Sequence, residues 1–382
     1  MINANDLLTD ARTETGLTDL GDEGIIAPLN LLVGSLNKDA KLTERGEGAF
    51  IRTVTGYIAN RLRVEDWLKH HPELLDRRVE KPMFVFGLPR TGTTLTINLL
   101  AEDPARRNFL RWEAFDSVPP PRPEEMHVGP RFQKAQDQID FSMKHIPHIS
   151  AIHHEDGDSP CECQFAMTPS FVAQVYDSQY HIPDYHKWFL YEADYVPAFR
   201  YQKRLLQLLQ AENSGQWTLK NPWHPLYLNA LNEVYPDAQL VMTHRDPVDV
   251  VGSACSLVWN VRVMLANEVD REQLGRDMVE TFEVMIARQY AFRAKHGAEA
   301  IYDIQYDEQV RDPIGTMQRL YAHFDTALTP EAEGRMRDYT TNKPKDRFGK
   351  HVYSLADYGL TPDYIRERLS DYCHDYGFTA GG

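Results

Sequence analysis

Nowhere in these 382 residues does a run approach the ~18–20 consecutive apolar side chains needed to cross a bilayer. The opening residues, "MINANDLLTDARTETG", are acidic and lack the basic-then-apolar order of a secretory leader, so a cytoplasmic protein is expected. Cysteine is scarce. Cys161 and Cys163 form C-x-C, while Cys255 and Cys373 stand alone. The set lacks the paired ligand spacing of a zinc site, so reduced thiols and no metal are expected. Positive charge is in deficit, with 41 Lys+Arg against 56 Asp+Glu and a formal net charge of −15. Nucleic acid and anionic membranes both reward basic surface, so neither is expected as the main partner. A local basic pocket is still allowed.

The chain does have length and apolar content. With 42% hydrophobic side chains, it can bury one large core, or a core plus a smaller domain. Residues 1–80 read as helical. Phe50, Ile51, Val54, Tyr57, Ile58 and Leu62 recur at helical spacing and mark one apolar face, expected to pack on the main domain. From residue 81 the rhythm changes. "MFVFG" (83–87) is a fully apolar run like a buried parallel strand. "WTLK" (217–220), "QLVMT" (239–243) and "IYDIQY" (301–306) are strand-like, and each precedes a helical pattern. Alternating strands and helices predict a P-loop-type three-layer α/β fold with a central parallel sheet. The expected organisation is a helical region over 1–80 and an α/β domain over 81–382, interrupted by a helical insertion over 115–215. A Pro-rich stretch at 117–130 predicts an extended loop, and the dense aromatics of 160–201 supply core and, in part, an acceptor pocket.

"FVFGLPRTGTT" (84–94) has the glycine spacing of a nucleoside-triphosphatase loop, but its lysine slot holds Thr93. Pro89, Arg90, Thr91, Gly92, Thr93 and Thr94 lie between a strand and a helix, the context in which such a glycine pattern means something. Unpaired amides and the positive end of the helix dipole make that helix start an anion site. The γ-phosphate cation is missing, and no apolar strand ends in an Asp placed for magnesium. Arg90 supplies a planar cation instead. The loop predicts phosphate binding without a metal.

"THRDPVDVVGSACSL" (243–257) repeats the logic. Arg245 ends a strand, Pro247 suits a first helical position, and a helix from there brings Ser253 near Arg245. Arg245 and Asp246 also admit a plain ion pair. Together, "GLPRTGTT" and "HRDPVDVVGS" resemble the two phosphate signatures of sulfotransferases that use 3′-phosphoadenosine-5′-phosphosulfate (PAPS). The resemblance spans about 81–350 and is closest to the bacterial branch whose loop reads Pro-Arg. It implies that the first loop grips the 5′-phosphosulfate, and that Arg245 and Ser253 grip the 3′-phosphate. It further implies Lys220 at the transferred sulfonate, Tyr306 at the adenine, and Arg347, Gly349 and Lys350 in a loop closing over the nucleotide. Arg90 is then assigned to the 5′-phosphate and leaving oxygen. Two positions depart from cytosolic relatives. Leu95 stands where they carry an adenine-facing Trp, and Pro222 stands where they carry a catalytic His.

The general base is therefore open. Glu113 is the first candidate, because related sulfotransferases use a glutamate after the first helix. His154 and His224 are rivals, since imidazole titrates near neutral pH. Glu162 lies in the same acidic stretch as His154. The expected activity is sulfonate transfer from PAPS, releasing PAP, to a hydroxyl of a small-molecule, lipid or sugar acceptor. A homo-oligomer is left open. An atypical P-loop kinase and a catalytically silent nucleotide-binding protein are the alternative readings.

Overall fold

The computed structural model describes residues 1–145, 156–342 and 353–378. Three helices come first: α1 (Ala4–Thr15), α2 (Ile26–Asp39) and α3 (Glu44–His70). The long α3 begins where the Thr43 side chain accepts from the Gly46 N–H. Glu44 and Glu47 occupy its first turn, and Lys69 and His70 its last. Each charge opposes the nearer pole of the helix dipole. Phe50, Val54, Tyr57, Ile58 and Leu62 are buried as their spacing predicted, while Ile51 is half-buried.

The strands follow as β1 (Met83–Gly87), β2 (Arg106–Asn108), β3 (Gln216–Lys220), β4 (Gln239–His244) and β5 (Tyr302–Gln305). They form one parallel sheet in the order β2-β3-β1-β4-β5. Between β1 and β2 runs α4 (Thr93–Ala101). The long excursion from β2 to β3 carries α5 (Pro130–His145), α6 (Gln174–Gln179), α7 (Pro183–Tyr191) and α8 (Val196–Leu209). Then come α9 (Leu228–Val234) before β4, and α10 (Pro247–Arg262) and α11 (Arg271–His296) after it. The C-terminal part adds α12 (Tyr306–Arg311), α13 (Pro313–His323), α14 (Pro330–Asn342), α15 (Pro362–Arg368) and α16 (Ser370–Asp375).

Alternation along β1 creates the layers. Phe84 and Phe86 face a core shared with the N-terminal helices and the insertion, while Met83 and Val85 face Leu99, Ile314 and Met317. A strand covered on both faces must be apolar throughout, which is why "MFVFG" reads as it does. β1 is also where the strand order reverses: the chain goes to the β2 side first and crosses to β4 later. Ligands of open α/β sheets bind at the C-terminal strand ends beside such a reversal. The insertion returns to that end, where Glu162 makes a parallel bridge with Lys220 and Pro160 an antiparallel one with Leu110. Among the described residues, no helix is long and apolar enough to cross a membrane.

Candidate active site

Gly87 ends β1 and Gly92 precedes α4, and both have positive φ, 152° and 99°. A Cβ on Gly87 would lie 2.3 Å from the Thr243 carbonyl oxygen, and one on Gly92 would lie 2.8 Å from the Tyr306 ring. Only glycine allows β4 and Tyr306 to approach this closely. Arg90 also has positive φ, 73°. That conformation is costly for a side chain with a Cβ and gathers at functional sites. The Thr91 hydroxyl donates to the Leu88 carbonyl at 2.6 Å and lies 2.6 Å from the Thr243 hydroxyl. It ties the loop to β4, and so is not one of the hydroxyls facing the cavity. Thr93 and Thr94 do line that cavity.

Both predicted anion signatures meet at this loop. Arg90 Nε donates to Ser253 Oγ at 3.1 Å. Arg245 donates to the Arg90 carbonyl at 3.4 Å and stacks on the Tyr306 ring at 4.6 Å. Burial and the neighbouring Arg245 cation hold the Arg90 guanidinium below its ordinary value. Ser253 thus contacts Arg90 directly, one side chain away from the expected partner. The Arg245–Asp246 pair does not form. Asp246 caps α10 through the Val248 N–H and pairs with Arg366, while Arg245 pairs with Asp249 at 3.0 Å. Tyr353, not singled out in the sequence although it follows closely on Lys350, donates to the Asp249 carbonyl at 2.7 Å and lines the same wall.

The cavity holds about 1540 Å³ and runs from Pro89, Arg90 and Gly92 past Glu162 and Trp223 to an apolar stripe of α10. That stripe is Ala254, Leu257, Val258 and Val261, spaced to share one helix face. Lys220 closes β3 nearby, almost fully buried and behind the cavity wall rather than on it, with its Nζ 3.1 Å from Glu162 Oε1, which does line the cavity. Among the described residues, no group of three or more His, Cys, Asp or Glu side chains could hold a metal ion.

The base candidates fall elsewhere. Glu113 is fully buried, pairs with Arg107 and accepts the Leu110 N–H at 2.9 Å, and it does not line the cavity. His224 is packed among Phe84, Phe199 and Tyr227, with Nε2 3.0 Å from Cys163 Sγ. It too is absent from the cavity wall. His154, Arg347, Gly349 and Lys350 lie outside the described residues.

Burial pushes His224 down from 6.5 to about 3. The unfolded imidazole takes up a proton near 6.5, and the folded one refuses it until about 3. Across that window the unfolded state binds more protons, so stability falls as pH drops through it. His224→Phe is expected to flatten that slope in urea midpoints measured against pH. An unchanged slope would remove His224 from the account.

A sequence model of the sulfotransferase family matches residues 82–330. The crystal structure of sulfotransferase STF9 from Mycobacterium avium is similar over 98% of this chain and 97% of its own, with 33% identity and a TM-score of 0.92. Sulfotransferase STF1 from Mycobacterium tuberculosis H37Rv is similar over 97% of this chain and 99% of its own, with 30% identity and a TM-score of 0.86. The omega-hydroxy-beta-dihydromenaquinone-9 sulfotransferase Stf3 of Mycobacterium bovis is 23% identical over 312 residues, 78% of this chain and 76% of that protein. With the family matched across both anion signatures and the whole fold shared, this chain belongs to the sulfotransferase family and is an enzyme of sulfonate transfer.

Proposed function

We propose that the donor is PAPS and the acceptor an apolar small molecule or lipid bearing a hydroxyl. The meeting of Arg90, Arg245, Ser253 and Tyr306 at the start of α4 carries the donor reading. A nucleotide with phosphates at both the 5′ and 3′ positions matches two adjacent sets of anion donors. The α4 amides and Arg90 hold the 5′-phosphosulfate, Arg245 and Ser253 the 3′-phosphate, and Tyr306 the adenine side. Lys220, at the end of β3, meets the sulfonate and its bridging oxygen. The demands are those of phosphoryl transfer: in-line attack, charge on non-bridging oxygens, and a leaving oxygen that needs stabilising. Preorganised cations meet those demands without reorganising at the moment of reaction.

On the acceptor side, the apolar stripe of α10 favours a hydrocarbon or ring-bearing molecule. The relative named for a hydroxylated dihydromenaquinone supports the same class. Residues 115–215 would then serve as the acceptor side of a catalytic domain spanning 81–382.

Calorimetric titration with PAP, AMP and ATP, each with magnesium and with EDTA, tests the donor. PAP is expected to bind tightly and ignore EDTA, with AMP weaker by about tenfold or more for the lost 3′-phosphate contacts. ATP binding that requires magnesium, with PAP no better than AMP, would overturn the reading in favour of a triphosphate loop.

A further inference from the structure

We infer that the acceptor hydroxyl stands at the end of a linear hydrocarbon chain, and that the groove between α6 and α10 holds that chain and measures its length. This inference rests on the donor reading above, which sets the nucleotide beside Ser253. α10 then serves both substrates. Ser253 faces the donor, and the same helix carries Ala254, Leu257, Val258 and Val261 onward along the cavity wall. Ala254 and Val258 are buried at the floor of the groove, while Leu257 and Val261 are half-buried at its rim. At the α-helical rise, the stripe from Ala254 to Val261 runs about 10 Å. That is the reach of roughly eight extended tetrahedral carbons.

α6 forms the facing side. Val175, Ser178 and Gln179 line the same cavity, at the spacing that puts them on one helix face. The Ser178 hydroxyl is turned to the Gln174 side chain, to which it donates at 2.6 Å. Among the described residues, none of the cavity-lining side chains that α6 and α10 contribute is charged. A charged or heavily hydroxylated acceptor would leave its polar groups unpaired there.

The width of the groove is fixed before an acceptor arrives. α6 and α10 pack on one another, and Arg262, at the end of α10, donates to the Asp177 carbonyl at 2.6 Å. The Asp177 carboxylate pairs in turn with His186 of α7 at 2.9 Å. Arg262 and Asp177 are 4% and 8% exposed, so parting the helices would strand buried charge without its partner. A long groove between clamped helices suits an extended chain and refuses a compact ring of the same carbon number. Just beyond α10, Val263 is 39% exposed. A chain longer than the groove comes to the surface there.

Calorimetric titration of the PAP-saturated protein with n-butanol, n-hexanol, n-octanol and n-decanol tests the inference. Affinity is expected to tighten about fourfold for each added methylene up to about octanol, and little beyond it. Cyclooctanol has the carbon number of n-octanol but cannot reach Val261. It is expected to bind about tenfold or more weaker than n-octanol. Val261→Trp fills the far end of the groove. It should weaken n-octanol about tenfold and n-butanol less than about twofold, with PAP affinity reporting that the variant is folded. Affinity that ignores chain length, cyclooctanol binding as well as n-octanol, or equal losses on both alcohols in Val261→Trp would each overturn the inference. Failure of the wild type to bind PAP would instead overturn the donor reading.

Discussion

Arg90→Ala is expected to cut sulfonate transfer on the order of 100-fold or more, the scale seen when one preorganised charge-stabilising donor is removed. The side chain leaves a turn residue at φ 73° and donates to Ser253 from the wall of the cavity. It is therefore aimed before any substrate arrives. The guanidinium is half-buried, and the reduced solvent screening strengthens its interaction with a developing oxyanion. Arg90→Lys should fall between wild type and Ala, because a flexible point charge replaces a planar fork. Alanine suffers the same backbone conformation as arginine, so the melting temperature should change little. Rates with PAPS, set beside that melting temperature, check the claim. Near-intact turnover in Arg90→Ala would show that the leaving oxygen is stabilised elsewhere.

Glu113→Ala is expected to cost about 3–5 kcal/mol of stability, the scale for stranding one member of a buried ion pair. Arg107 is 3% exposed and stacks on Trp217 at 4.7 Å, so its charge is left poorly solvated and without its carboxylate partner once Glu113 is gone. The Leu110 N–H loses its acceptor in the same change. Replacing both partners together, as Arg107→Met with Glu113→Leu, should recover much of the loss, since an apolar pair of similar volume avoids the desolvation cost. Urea unfolding of the two variants measures this. If Glu113→Ala instead unfolded like wild type while losing turnover, the residue would act in the chemistry rather than in the fold.

Much of the site is written locally. An apolar strand, a glycine turn and a helix start lie within eleven contiguous residues, 84–94, and hydrogen-bond geometry then obliges the amides to point at one spot. The Arg245-to-Ser253 signature marked the strand end and the helix start, but the Ser253 hydroxyl meets Arg90, which Arg245 contacts in turn. Four strands of the sheet were legible too, β1 most clearly because a strand covered on both faces must be apolar, but the edge strand β2, Arg-Arg-Asn, carries no such signal and was not anticipated. Tertiary structure decided which side chains serve the cavity and which serve the fold. The Thr91 hydroxyl is consumed by β4, and Glu113 by Arg107, although its place in the loop made the first attractive and the family resemblance the second. Lys220 and Glu162 are 58 residues apart, with no periodicity linking them. They meet because the insertion returns to pair with the end of β3. Local sequence sets turns, caps and apolar faces through short-range sterics and hydrogen bonds. The partner of a buried charge is set by the long-range path of the chain, where the cost of leaving it unpaired selects one arrangement.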